Sequence, residues 1–82
     1  MLRISVRYYS ALRRAIGREA EAVYVDDGAR VGDLIAQVIA RFPQVQPYES
    51  TILVAKNSEY VSAGETLKDG DTIDIMPPVS GG

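Results

Sequence analysis

Between Val31 and Phe42 the apolar residues Val31, Leu34, Ile35, Val38, Ile39 and Phe42 recur at i, i+3, i+4, i+7, i+8 and i+11. This spacing predicts a helix with one apolar stripe and with Asp33, Gln37 and Arg41 turned outward. Asp33 suits the positive end of the helix dipole, and Pro43 stops the helix. A helix with a single apolar stripe has to cover something. In a chain of 82 residues with no other long helical pattern, the available partner is a sheet.

The remaining segments supply that sheet. Leu2, Ile4, Val6 and Tyr8 alternate with Arg3, Ser5, Arg7 and Tyr9, the period-two pattern of a strand with one buried face. Ser10 follows as an expected N-cap for a short helix, ALRRAI, closed by Gly17. Glu21–Val25 reads as a second strand with Asp26-Asp27-Gly28 as its exit turn, and PYES as a loop. Thr51–Lys56 and EYVS read as strands joined by Asn57-Ser58, where Asn tolerates left-handed backbone. Leu67 is an expected core residue within the loop chemistry of AGETLKDGD. TIDIM is the last strand, with Ile73 and Ile75 on one face and Thr72, Asp74 and Met76 on the other. The expected class is α+β: a mixed sheet of about five strands, one long covering helix and a short helix, for which the β-grasp arrangement is the natural candidate.

Composition removes most kinds of chemistry. The chain has no Cys and no His, so it has no thiolate, no disulfide, no Ser–His triad and neither of the commonest transition-metal ligands. Its lysines, Lys56 and Lys68, sit in polar, turn-like contexts. Asp69-Gly70-Asp71 is too short for a calcium loop and fits a turn. A single small domain buries only about 60–65% of its unfolded surface, which leaves little room for a deep catalytic cavity. The net charge of −2 gives no basic footprint for nucleic acid. No apolar run reaches the roughly 20 residues of a membrane span, and the N-terminus lacks the apolar core of a signal peptide. The expected location is the cytoplasm, with no nucleic acid and no membrane as partner.

The chain ends IDIMPPVSGG. Pro77 and Pro78 cannot donate to a ladder, so they end the strand and favour an outward, extended course. The six residues from Pro77 to Gly82 span at most roughly 20 Å. The expected division is a β-grasp domain over 1–76 and an extended tail over 77–82. Gly81 and Gly82 have no Cβ and can thread a narrow channel. Ser80 has no base to activate it and reads as a small spacer.

VRYYSALRRAIG near the start, VAKNSEYVSAGETLKDGDTIDIMPPVSGG at the end and the overall length together resemble the small-subunit family of molybdopterin synthase, ubiquitin-like sulfur carriers with a β-grasp fold. The resemblance covers essentially the whole chain. It implies that the Gly82 carboxylate is adenylated by an ATP-using partner of the ubiquitin-activating type. A sulfurtransferase then supplies the sulfur of a thiocarboxylate, and the tail enters the large subunit, in an assembly of two small and two large subunits. There the sulfur passes to a cyclic pyranopterin precursor. The chain itself would bind no cofactor or metal and would bring no catalytic side chain; ATP belongs to the activating partner. Related carriers with the same fold and Gly-Gly end serve thiazole formation, cysteine synthesis or tRNA thiolation, and some archaeal relatives are conjugated to protein lysines. These remain the alternatives.

On this reading Gly82 carries the reacting carboxyl, and Gly81, Ser80, Val79, Pro78 and Pro77 are the inserted tail. Ordering Val79 to Gly82 costs roughly 4–8 kcal/mol at about 1–2 per residue. Val79 alone buries too little apolar area to offset that. A partner therefore has to hold the domain as well. Tyr9 and Met76 fall out of phase with the buried positions of the first and last strands, which are neighbours in a β-grasp sheet. They are the expected docking patch.

Overall fold

A computed structural model describes residues 1–78. The chain runs β1 (Leu2–Tyr8), α1 (Ser10–Ile16), β2 (Ala20–Val25), α2 (Val31–Arg41), a 3₁₀ helix (Pro43–Tyr48), β3 (Leu53–Lys56), β4 (Glu59–Val61) and β5 (Thr72–Met76). The five strands form one sheet in the order β2-β1-β5-β3-β4. β1 and β5 are parallel at the centre, and the other pairs are antiparallel. This is the mixed sheet expected from the sequence, and its order is that of a ubiquitin-like β-grasp.

The core lies between the sheet and the helices. Ile4, Val6 and Tyr8 of β1, Val23 and Val25 of β2, Val54 of β3 and Ile73 and Ile75 of β5 face Val31, Leu34, Val38 and Ile39 of α2. Leu12 and Ile16 of α1 close one end, and Leu67 is buried within its loop, as its isolated apolar position predicts. The stripe on α2 faces the sheet, although Ile35 and Phe42 at its margins are only half-buried. The first N–H groups of α2 are consumed internally. Val31 donates to the Glu65 carbonyl and Gly32 to the Ala63 carbonyl, while Asp33 Oδ2 accepts the Arg30 N–H at 2.8 Å. That helix start is therefore tied to the 63–65 loop and offers no free anion site.

Three local expectations change. Ser10 is not the cap of α1. Strand β1 runs on until the Tyr9 N–H donates to the Ile75 carbonyl, and the chain then turns at Ser10, which has φ 52°. Tyr9 thus occupies the cap position, with no side-chain cap, and its carbonyl accepts from both Leu12 and Arg13. The end of α1 is as expected: Gly17, at φ 85°, returns its N–H to the Arg13 carbonyl. Second, Pro43–Tyr48 forms a 3₁₀ helix where a loop was expected over its last residues, because Val45 has core to fill and is 1% exposed. Third, β3 begins at Leu53, since the Thr51 and Ile52 N–H groups are still bonded to the Tyr48 carbonyl. The β3–β4 turn is as read, with Asn57 and Ser58 both left-handed at φ 49° and 76°. Asp69-Gly70-Asp71 is a turn: Asp69 accepts the Arg3 N–H and Asp71 accepts the Lys68 N–H.

Candidate functional site: the open sheet face beside the tail

Among the described residues no helix lies over one face of the sheet, and strand alternation determines what that face displays. Cross-strand partners share a face. Arg7 is opposite Asp74, Ala55 is opposite Asp74 on its other side, and Tyr60 is opposite Ala55. One step toward the C-terminus of β5, Met76 is opposite Leu53. Tyr8 pairs with Ile75, so Tyr9 and Met76 occupy the next rung of the parallel ladder. The expected patch is thus brought together: Tyr9 is 36% exposed and Met76 half-buried, on neighbouring strands.

The sequence reading left out two members of this surface. Leu53, 36% exposed, and Tyr60, 69% exposed, extend it across β3 and β4. Their signal is present as phase: Leu53 alternates against buried Val54, and Tyr60 against half-buried Val61. Placing them beside Met76 requires knowing that β3 pairs with β5, which periodicity within a strand does not specify.

A polar rung supports the apolar one. Arg7 grips Asp74 with two nitrogens, Nε to Oδ1 at 2.6 Å and Nη2 to Oδ2 at 3.0 Å, and the Tyr9 hydroxyl donates to Oδ1 at 3.3 Å. Asp74 was expected to face outward and does, yet it is 9% exposed because Arg7 and Tyr9 cover it. The hydrogen bonding of Arg7 to Asp74, which accepts, and then the charge of Asp74 raise the Arg7 guanidinium above its already high range. The bidentate pair fixes the ring that stands beside the tail.

Strand β5 stops at Met76, and Pro77 and Pro78 follow without regular structure, Pro77 half-buried and Pro78 exposed. Val79, Ser80, Gly81 and Gly82, expected to form the inserted end, lie outside the described residues. No group of His, Cys, Asp or Glu among the described residues could hold a metal ion. A groove of about 700 Å³ between α2 and the β3–β4 hairpin is mostly apolar, and Glu49 is the one charged residue in its wall. No helix among the described residues is long and apolar enough to cross a membrane.

Fold and site together define a ubiquitin-like β-grasp domain whose central strand leads into Pro77 and Pro78 beside an open apolar face, with Val-Ser-Gly-Gly following in the sequence. The ThiS family matches residues 6–82, and the chain belongs to that family. It is 40% identical to a molybdopterin synthase sulfur carrier subunit of Chlamydomonas reinhardtii, over 99% of this chain and 100% of that protein. Among solved structures it resembles a Pyrococcus furiosus protein described as subunit 1 of a molybdopterin converting factor, with TM-score 0.88 and 32% identity over 96% of this chain and 100% of the other. It also resembles the small archaeal modifier protein SAMP1 of Haloferax volcanii, with TM-score 0.83 and 27% identity over 98% and 99% of the two chains.

Proposed function

We propose that this protein is the sulfur carrier and small subunit of a molybdopterin synthase. Full-length similarity carries the reading: at 40% identity to a sulfur carrier subunit, all of that relative is covered, and the family match runs through Gly82 itself. The composition agrees. A chain without His or Cys brings a carboxyl to be activated and leaves the catalytic side chains to its partners.

In this mechanism an ATP-dependent partner converts the Gly82 carboxylate to an acyl adenylate, because a free carboxylate is a poor acyl donor. Sulfur delivered at the sulfide level, released from a sulfurtransferase's persulfide by a thiol reductant, forms a C–S bond to the acyl carbon as the bond to the AMP oxygen breaks, so AMP leaves and a thiocarboxylate remains. With no Cβ on Gly82 or Gly81, the acyl carbon is open to attack and the last residues fit a narrow channel. The large subunit receives the tail and transfers the sulfur to a cyclic pyranopterin. A dithiolene holds two sulfurs, so two carrier turnovers complete it, which suits an assembly of two small and two large subunits. The open face with Tyr9, Met76, Leu53 and Tyr60 supplies the grip that the short tail lacks. The 27% identity to an archaeal modifier is lower than that to the sulfur carrier, and no residue on the open face singles out conjugation to lysines.

The decisive experiment is mass spectrometry of the chain after incubation with its adenylating enzyme, ATP and a sulfur donor. The expected product carries one sulfur in place of one oxygen at Gly82, and it converts the pyranopterin precursor once the large subunit is added. The chain lacking Gly82, or extended by one residue, should keep its fold and lose the reaction entirely. Full activity without Gly82 would end this reading, and transfer to protein lysines in place of the pterin would replace it with that of a modifier.

A further inference from the structure

The chain carries seven arginines and two lysines, and of these Arg7, Arg13 and Arg14 lie toward the Met76 end of the sheet. Levels can be read from the central parallel ladder, which sets Ser5 against Thr72 and Arg7 against Asp74. Arg7 therefore stands two rungs from Met76. Arg13 and Arg14 lie on α1, which starts beside the Tyr9–Ile75 hydrogen bond. The N-terminal amine lies eight residue levels from Met76, about 26 Å at ~3.3 Å per residue, and is paired with Asp27 at 3.1 Å. Lys68 belongs to the turn whose Asp69 and Gly70 bond the Arg3 backbone, about 20 Å from Met76 by the same measure. A tail of six residues spans at most roughly 20 Å. It comfortably reaches only one amine, Lys56, which is opposite Ile73 three rungs away.

That amine is engaged. Lys56 Nζ donates to Glu65 Oε2 at 2.6 Å and to the Thr66 carbonyl at 3.2 Å, and its side chain is 18% exposed. The hydrogen bond that Lys56 donates to Glu65, against a smaller opposing effect of burial, raises Lys56 above its ordinary range. A protonated amine has no lone pair for attack, and a guanidinium is never a nucleophile at neutral pH.

We infer that the surface within the tail's reach is kept clear of free amines, with arginine carrying the positive charge there and Glu65 masking Lys56, so that the activated Gly82 carboxyl does not acylate its own domain. The inference rests on the carboxyl activation proposed above. The reaction avoided is attack of a neutral lysine Nζ on the Gly82 carbonyl carbon. A C–N bond forms, the bond from that carbon to the AMP oxygen breaks, AMP leaves and the amine proton goes to solvent. The product is a dead-end internal isopeptide, and no redox change is involved. Glu65 is here a positioning residue, acting through Lys56.

The test uses the full chain bearing a C-terminal thioester on Gly82, which presents the same acyl electrophile and releases a thiol in place of AMP. The parent thioester is expected to disappear by hydrolysis alone. Arg13→Lys and Arg14→Lys are expected to yield a species one water lighter than the hydrolysed chain, with the cross-link mapped by peptide mass spectrometry to the new amine. Glu65→Gln is expected to give a cross-link at Lys56 formed severalfold faster than in the parent, and adding Lys56→Arg should remove it. A parent that cross-links at Lys56 as fast as Glu65→Gln would overturn the inference, as would the absence of any cross-link in all three variants. Cross-links in the arginine variants alone would overturn the role of Glu65. Circular dichroism checks the fold of Glu65→Gln, while the exposed α1 sites keep the test decisive should that variant unfold. The assay holds no activating enzyme and no sulfur donor, so its result is separate from whether a thiocarboxylate forms.

Discussion

The two faces of the sheet are built from the same strands by alternate residues, and they serve opposite ends. On the inner face Ile4, Val6, Ile73 and Ile75 are 0–2% exposed and contribute stability. On the open face Tyr9, Leu53 and Tyr60 keep a third or more of their surface, although they could have been polar at little cost to folding. Apolar area left in water across adjacent strands, next to the point where β5 ends, is the kind of surface that marks interaction sites. The difference teaches how a domain this small divides its labour. One face holds the core, and the other is the face on which the proposed function puts the partner's grip.

The inner face should give the largest stability effect. Ile73→Ala removes a fully buried side chain from the strand that carries the tail, and it should cost about 2–5 kcal/mol. That is a large part of the roughly 5–15 kcal/mol that holds a typical domain together. Urea denaturation should show a lower midpoint with little change in slope. A loss below about 0.5 kcal/mol would erase the contrast between the faces.

Acid should act on the margin of the inner face next. Glu21 is held there by the Tyr8 hydroxyl at 2.6 Å and by Arg18 and Arg41, each at 3.0 Å. Burial pushes its pKa up, but the hydrogen bonds from Tyr8 and Arg41 and the charges of Arg41 and Arg18 outweigh it, leaving it below its ordinary value. Asp71 is likewise lowered: against burial it accepts from the Lys68 N–H and from Asn57. A carboxylate lowered in the folded state stabilises fully above its unfolded pKa, about 3.9 for Asp and 4.3 for Glu, and that contribution disappears as pH falls through the folded value. Thermal melts should therefore be flat above about pH 5 with respect to these groups and should drop below about pH 4. Glu21→Gln should lower the melting temperature near neutrality and flatten the acid fall.

Most of this was legible in the sequence, because burial on one face writes a period into the chain. The stripe from Val31 to Phe42 and the alternation from Leu2 to Tyr8 define the core and the covering helix. The alternation of the first strand places Tyr9 on the other side, and that of TIDIM does the same for Met76. What could not be read depended on which strands meet. Leu53 and Tyr60 join the open face only because β3 lies beside β5, and Asp74 is covered because Arg7 and Tyr9 reach it from the neighbouring strand. Ser10 misled for a related reason: cap chemistry is local, but the hydrogen bond from Tyr9 to Ile75 is not, and it goes with Tyr9, not Ser10, at the cap position. The Lys56–Glu65 pair spans a loop whose course the sequence leaves open.

The open face should give the smallest change in stability and the clearest change in binding. Tyr9→Ala removes the hydroxyl 3.3 Å from Asp74, yet the carboxylate keeps both bonds to Arg7, so its polar atoms remain paired. Met76→Asp adds a charge on the same face as Asp74, at a half-buried position on the last rung of β5. Each should cost less than about 1 kcal/mol, in line with substitutions outside the core. Docking would bury these side chains, and a fully buried apolar side chain contributes about 1.5–3 kcal/mol. Losing one should therefore weaken binding to the large subunit roughly tenfold to a hundredfold, at about 1.4 kcal/mol per factor of ten. Leu53→Asp should do the same from the neighbouring strand, since Leu53 is the cross-strand partner of Met76. Isothermal titration against the large subunit, with circular dichroism on each variant, measures both quantities. Folded variants that bind as tightly as the parent would leave the tail as the sole recognition element. A loss confined to Tyr9 and Met76, with Leu53→Asp unchanged, would narrow the contact to the two central strands.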